Sequence, residues 1–121
     1  MILMFLAAAA SCASPQTQTD MTRCAGQDYV QADAAMTRQW KATQAFMKQR
    51  DAQDKSRGGG FGYAAALLES QRAWLKFRDT QCVIAGAEFA GGSMQPMAVA
   101  QCKARLTEAR AKELRTLVWQ R

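Results

Sequence analysis

The reactive side chains in this 121-residue sequence are ten carboxylates and four cysteines, and the sequence contains no histidine. A catalytic site needs a nucleophile beside a base, paired carboxylates or a metal ion, and histidine is the commonest base and metal ligand. Asp51 and Asp54 lie one helical turn apart, but in the wholly polar stretch KQRDAQDK (48–55), which is typical of a solvated helix end. We therefore predict no enzyme activity, no metal site and no cofactor.

The four cysteines indicate disulfide bonds. They are Cys12, Cys24, Cys82 and Cys102, and no two of them form a CxxC pair. Without CxxC or histidine, a zinc site is not expected. An even number of cysteines suits an oxidising compartment outside the cytoplasm, so a structural role is favoured over redox chemistry.

The N-terminus predicts export. Residues 1–10, MILMFLAAAA, form an apolar run that is too short to span a bilayer. The small side chains of Ala8 and Ala10 fit the cleavage pattern of a signal peptide. Alternatively, residues 9–12, AASC, form a lipoprotein cleavage box, which would place a lipid anchor on Cys12.

Either interpretation divides the chain in two. We predict a signal peptide or lipoprotein leader over residues 1–13 and one helical domain over residues 14–121. The mature protein is expected in the periplasm or secreted, with no transmembrane span and no nucleic-acid partner.

Apolar residues recur at steps of three and four in three segments, which predicts three helices. The first helix starts near Met21, after a cap at Thr19 or Asp20. The glycine-rich turn SRGGGFG (56–62) separates it from a second helix that starts near Tyr63. Because no segment shows the alternation of a strand, we predict an all-α fold.

The ends of the other helices complete the predicted architecture. The second helix ends at Gly86 and the run AGGS (90–93), and Ser93 caps a third helix with Pro96 in its first turn. Short connections predict an up-down-up three-helix bundle tied by disulfides. The first helix is the longest, so we expect a break or an overhang in it. The apolar positions of the third helix are Met97, Val99, Cys102, Leu106, Ala109, Leu114 and Leu117.

In such a bundle three of the cysteines share one end, because they lie at the start of the first helix, the end of the second and the start of the third. Two pairings satisfy this arrangement. One joins Cys82 to Cys102 and Cys12 to Cys24; the other joins Cys24 to Cys82 and Cys12 to Cys102. Each disulfide is expected to contribute about 2–4 kcal/mol to stability.

The stretch SQRAWLKFRDTQC (70–82) places Gln71, Trp74 and Arg78 on one face of the second helix. Arg78 follows Trp74 by one turn, so its guanidinium can lie over the indole ring and pair with an acid of another helix. Asp79 points about 100° away and is not expected to join Arg78 in one fork. The predicted buried polar network consists of Gln71, Trp74, Arg78, Thr107 and Arg110.

Four motifs follow one another along nearly the whole mature chain: TQTDMTRCAGQDYVQAD (17–33), LLESQRAWLKFRDTQC (67–82), GGS (91–93) and CKARLTEARAKEL (102–114). Their order resembles LprI-like proteins, small exported bacterial proteins grouped as the lysozyme inhibitor LprI N-terminal domain. Thr22 and MTRQW (36–40) depart from the usual pattern of this family. The resemblance implies an exported, disulfide-tied helical protein that inhibits lysozyme by binding it.

The net charge of +6 suggests an alternative, a basic module that binds anionic wall polymer or lipid of the cell envelope without inhibiting lysozyme. Many lysozymes are themselves basic. A cationic protein that binds lysozyme, or another basic envelope protein, therefore needs a locally acidic or apolar surface. The predicted partner-binding residues are Phe61 and Tyr63 at one turn and Glu88 and Phe89 at the other.

Overall fold

The structure, a computed structural model, describes residues 12–54 and 61–119. The predicted leader up to residue 11 and the glycine run at 58–60 lie outside the described residues. Within the described part, the chain forms helices and turns with no strand. The three helices are α1 (Gln18–Gln53), α2 (Tyr63–Ala87) and α3 (Gln95–Thr116). This confirms the predicted all-α fold.

Contacts between helices give the predicted up-down-up order. Near one end of the bundle, Gln18 of α1 contacts Met97 of α3, and farther along Thr43 of α1 contacts Leu114 of α3, so these two helices run parallel. Helix α2 runs antiparallel to both. Among the three pairs, α1 and α3 pack most extensively and α1 and α2 touch least.

The first helix starts earlier than predicted. Thr17, not Thr19 or Asp20, is its N-cap, and the Thr17 hydroxyl accepts a hydrogen bond from the amide of Asp20 at 3.1 Å. Asp20 lies instead in the first turn, where its charge favours the helix N-terminus. Of the two alternatives expected for this helix, a break or an overhang, the break is absent, because α1 is a continuous helix of 36 residues that includes Gly26. Helix α1 exceeds the 25 residues of α2 and the 22 residues of α3.

The start of α3 also differs from the prediction. Met94 occupies the N-cap position and makes no capping hydrogen bond through its side chain, whereas Ser93 lies in the preceding turn. In that turn the amide of Gln95 donates to the carbonyl oxygen of Gly92 at 3.3 Å, and Gly91 has a φ of +79°. The turn therefore directs the chain into α3 through its backbone, and Pro96 follows in the first turn as predicted.

The two ends of the bundle are built differently. At the end that we call the disulfide end, Cys12 is bonded to Cys24 and Cys82 to Cys102, with Cα–Cα distances of 5.5 Å for both pairs. This is the first of the two predicted pairings. The Cys82–Cys102 bond is buried.

The opposite end, which we call the aromatic end, holds most of the apolar core. The buried members of this cluster are Met36, Met47, Leu67, Ala111 and Leu114. Partly buried side chains surround them, and they are Trp40, Phe46, Tyr63, Ala64, Trp74, Leu117 and Trp119.

The core face of α3 differs from the predicted stripe at one position. Ala109 is exposed, whereas Thr107 and Arg110 are buried. The predicted stripe followed apolar residues only, and it therefore included Ala109. Thr107 and Arg110, which were assigned to the predicted polar network, are buried because they find hydrogen-bond partners on α2.

Candidate partner-binding surfaces

A buried polar network crosses the middle of the bundle and includes Arg110 of α3. Its Nε donates to Oε1 of Gln71 at 2.9 Å, and its Nη2 donates to Oγ of Ser70 at 3.1 Å, both on α2. Nη1 pairs with the exposed carboxylate of Glu113 at 3.3 Å. Ser70 and Glu113 were missed in the sequence because no periodic pattern marks them.

Arg78 joins all three helices. Its Nη1 donates to Oγ1 of Thr107 on α3 at 3.4 Å and lies 3.9 Å from Oδ1 of Asp33 on α1. Its Nε also donates to Oδ1 of Asp79 at 3.0 Å. Adjacent side chains start about 100° apart around a helix, and the long arginine side chain makes this one bond by turning back along the helix surface.

Aromatic rings complete the network. The guanidinium of Arg78 lies 5.2 Å from the ring of Trp74 and 5.3 Å from the ring of Tyr29, and that of Arg110 lies 5.9 Å from the Trp74 ring. Among the described residues, every buried side-chain nitrogen and oxygen has a hydrogen-bond partner. The buried polar atoms of this network are therefore satisfied within the bundle.

A groove of about 420 Å³ lies between α1 and α2, where these helices touch least. Its apolar lining includes Met36, Trp40, Leu68 and Leu75. Such a surface can receive an apolar side chain of a partner protein.

The predicted residues Phe61 and Tyr63 lie at the aromatic end. Their rings stack with centroids 4.4 Å apart, and Tyr63 meets the edge of Trp119 at 6.0 Å. Phe61 is 48% exposed, whereas Tyr63 is half-buried and belongs to the core cluster. Of the two, Phe61 presents the larger apolar surface to a partner.

Asp51 at the end of α1 holds the start of α2. Its Oδ1 accepts hydrogen bonds from the amides of Gly62 and Tyr63, each at 2.9 Å, and its Oδ2 accepts one from Ala64 at 3.0 Å. The bond from Ala64, followed by that from Tyr63, lowers the pKa of Asp51 below its ordinary value of 3.8. Interpreting this carboxylate as part of a merely solvated helix end was therefore wrong. Asp51 accepts these bonds because the N-cap residue of α2, Gly62, has no side chain that could accept them.

The other predicted pair, Glu88 and Phe89, lies in the α2–α3 turn at the disulfide end. Glu88 is exposed and Phe89 is half-buried, and the nearby Met94 is 40% exposed. Successive backbone bonds hold the turn, including Phe89 to the Gly86 carbonyl at 3.0 Å. The two predicted pairs are thus separated by the length of α2, about 37 Å for 25 residues. They form two surfaces, not one site.

The described residues offer neither a metal site nor a membrane span. No group of His, Cys, Asp or Glu within 12–54 and 61–119 is arranged to hold a metal ion. Across the same ranges, no helix is both long enough and apolar enough to cross a membrane.

Comparison with known proteins identifies the family. The family model described as lysozyme inhibitor LprI matches residues 8–114. The chain belongs to the LprI family. A relative, an uncharacterized protein of Rhizobium meliloti (strain 1021), is 40% identical over 108 residues, which are 88% of this chain and 78% of the relative. No solved structure matches the chain.

In this member of the LprI family, charge is distributed unevenly along the bundle. The contacts of Arg78 with Asp33 and Thr107 mark the middle. The half toward the disulfide end has one more anionic than cationic side chain. Its charged side chains are Arg23, Arg78, Lys103, Arg105, Asp20, Asp28, Asp33, Asp79 and Glu88.

The described residues of the other half carry an excess of four positive charges. Its cations are Arg38, Lys41, Lys48, Arg50, Arg72, Lys76, Arg110, Lys112 and Arg115, and its anions are Asp51, Asp54, Glu69, Glu108 and Glu113. The positive charge of the described bundle therefore belongs to the aromatic half.

Proposed function

We propose that this protein is an exported cell-envelope protein that binds and inhibits lysozyme and catalyses no reaction itself. The observation that carries the proposal is the match of the lysozyme inhibitor LprI family over residues 8–114, which is nearly the whole chain. The fold supports binding through a rigid surface, since disulfides tie one end and a satisfied polar network joins the three helices.

The distribution of charge favours the disulfide end as the lysozyme-binding surface. Basic lysozymes and the cationic aromatic half repel each other at long range, which slows encounter. The disulfide half has a small excess of carboxylates, among them the exposed Glu88 and Asp28. A basic enzyme that approaches this end therefore meets less repulsion and can pair with those carboxylates.

The α2–α3 turn is also prepared for binding. The amide of Gly92 donates to the Phe89 carbonyl at 2.9 Å, and the amide of Gly91 donates to Oε1 of Gln95 at 3.2 Å. A Cβ added to Gly86 would lie 2.5 Å from Cγ2 of Val99, which shows how closely the two helices approach here. A turn that is already ordered loses little entropy on binding, and Met94 adds exposed apolar area.

The N-terminal cysteine bears on the mode of export. In the structure Cys12 is bonded to Cys24, and a sulfur in a disulfide is not available for a lipid anchor. We infer signal-peptide cleavage after Ala10, within the predicted leader, because this position retains Cys12 in the mature chain. The corresponding location of the mature protein is the periplasm or the extracellular medium, without a lipid anchor.

Inhibition of lysozyme by the purified protein, measured as the clearing of a bacterial wall suspension, tests this proposal. We expect the wild-type protein to inhibit. Reversing the charge of Glu88 (Glu88→Lys) should slow association and weaken inhibition most at low salt. The matched control is Phe61→Ala at the opposite end, which should inhibit as the wild type does.

Two outcomes would contradict different parts of the proposal. A folded, oxidised wild-type protein that does not inhibit lysozyme would contradict the function. Inhibition that is lost in Phe61→Ala but kept in Glu88→Lys would retain the function and move the binding surface to the aromatic end.

A further inference from the structure

The second half of α1 carries a row of cationic side chains on its solvent-facing surface. Arg38, Lys41 and Lys48 are all exposed, and no aspartate or glutamate occurs between residues 34 and 50. With 100° per residue, the three lie within about 80° of one another around the helix and extend over about 15 Å. We call these three residues the α1 cationic row.

The α1 cationic row is not neutralised by neighbouring helices. None of the ion pairs found among the described residues involves Arg38, Lys41 or Lys48. The charges of these three side chains therefore do not hold the helices together. Three of them on one helix face form a surface on which anions can gather.

Helix α3 provides an internal comparison, because Arg105, Glu108 and Arg115 have the same spacing as the α1 row. There a glutamate occupies the position that corresponds to Lys41, and Lys112 lies one turn after it. Glu108 lies three residues after Arg105 and four before Lys112, and opposite charges at these separations attract. The two helices thus display a matched pair of surfaces, one uncompensated and one partly neutralised.

Aromatic side chains lie beside the end of the α1 cationic row. Lys48 precedes Asp51 by one turn, and Asp51 holds the backbone of residues 62–64 through its carboxylate. Phe61, which is 48% exposed, immediately precedes this segment and stacks on Tyr63. Basic side chains next to aromatic ones are typical of surfaces that meet the headgroup region of a membrane.

We propose that the α1 cationic row, together with Phe61, binds a membrane surface that contains anionic phospholipid. The cations contact phosphate groups of several lipids, and Phe61 enters the interface between headgroups and acyl chains. This activity goes beyond the proposed inhibition of lysozyme. It uses residues of the aromatic half and none of the α2–α3 turn.

Co-sedimentation with lipid vesicles tests the proposal, using phosphatidylcholine vesicles with and without phosphatidylglycerol at low and high sodium chloride. We expect the wild-type protein to bind only the anionic vesicles and to dissociate at high salt. The triple variant Arg38→Gln, Lys41→Gln, Lys48→Gln should lose about a hundredfold in affinity, from the contribution of three basic side chains near an anionic surface.

The matched control is the triple variant Arg105→Gln, Lys112→Gln, Arg115→Gln, which removes the same charge from α3. It should lose much less affinity, and circular dichroism should show that both variants keep their helices. Equal losses in the two triple variants would overturn the assignment to α1, because net charge alone would then explain binding. Failure of the wild-type protein to bind anionic vesicles at low salt would overturn the proposal itself.

A second variant separates lipid from soluble anionic polymer. Phe61→Ala should weaken binding to anionic vesicles and leave binding to soluble polyphosphate unchanged. The contrary result would be that the wild type and Phe61→Ala bind anionic vesicles with equal affinity and bind polyphosphate as tightly as vesicles. The surface would then recognise phosphate without recognising a membrane, which would overturn the proposal. Inhibition of lysozyme by the α1 triple variant, measured in parallel, should not fall below the wild-type level, because the removed cations only repel a basic enzyme.

Discussion

The disulfide end and the aromatic end of this bundle reach order by different means. At the disulfide end, small side chains and a close helix approach at Gly86 leave little apolar volume, and two covalent bonds restrict the unfolded chain instead. At the aromatic end, a cluster around Leu114 supplies apolar burial without a covalent link. A small domain can thus divide its stabilisation between cross-links and packing.

The disulfide half and the aromatic half also differ in net charge. Most cations of the described chain are in the aromatic half, and the carboxylates balance them only in the disulfide half. A basic partner and an anionic surface would therefore prefer opposite ends, provided that each end stays folded. Substitutions that weaken one end at a time can test how independent the two are.

Removing packing at the aromatic end should have the largest effect. Leu114 is fully buried in the core cluster, so Leu114→Ala should lower the free energy of unfolding by about 2–5 kcal/mol in a urea titration. The control is Val83→Ala on α2, which changes a side chain that is 66% exposed and should cost far less. Similar losses in the two variants would show that the aromatic cluster does not carry the packing energy.

Removing the buried covalent link at the disulfide end should come second. The double substitution Cys82→Ala, Cys102→Ala opens a loop with a sequence separation of 20, and such loops contribute about 3 kcal/mol. The loss should appear in urea unfolding of the oxidised protein. A variant that lacks all four cysteines serves as the control, since a reducing agent should destabilise the wild-type protein but not this variant.

A polar contact at the aromatic end should have the third-largest effect. The buried Thr43 hydroxyl donates to the carbonyl oxygen of Leu114 at 2.9 Å and thereby joins α1 to the last turn of α3. Thr43→Val keeps the shape and removes this hydrogen bond, whereas the Leu114 carbonyl keeps the bond from the Leu117 amide at 3.2 Å, so the expected cost is about 0.5–1.5 kcal/mol. Thr43→Ser retains the hydroxyl and should recover part of the loss. Equal stability of the two variants would indicate that the hydrogen bond contributes nothing.

These contacts show which features can be predicted from sequence. The three helices could be predicted because their apolar residues recur at steps of three and four, and the position of the cysteines followed from helix order. The choice between the two disulfide pairings could not, because both bring the sulfurs to the same end. Only the structure places Cys12 beside Cys24.

The misses share a physical cause. Ala109 was placed on the core face of α3 because the predicted stripe followed apolar residues only, but it is exposed. Thr107 and Arg110 occupy that face instead, where Arg78 and Gln71 of α2 satisfy them. Asp51 binds amides that follow it by 11–13 residues across the glycine turn. Contacts between elements of this kind leave no periodic signal in a single sequence.

The smallest expected effect concerns Asp51, the polar tie at the aromatic end. Hydrogen bonds from the amides of Ala64 and Tyr63 lower the pKa of this carboxyl in the folded protein, so its stabilising contribution is present above the pKa of the unfolded chain, near 3.8. That contribution is lost as the pH falls through the lower folded value. Asp51→Asn should therefore destabilise the protein at neutral pH by less than Thr43→Val does.

The pH dependence distinguishes this tie from a general effect of charge. The difference in melting temperature between Asp51→Asn and the wild type should shrink as the pH falls below 3.8, because protonation removes the same charge from the wild-type protein. Asp28→Asn is the matched control at the other end of α1, where the carboxylate is exposed, and it should change the melting temperature little at any pH. A difference for Asp51→Asn that persisted unchanged into acid would mean that the charge on Asp51 does not stabilise the start of α2.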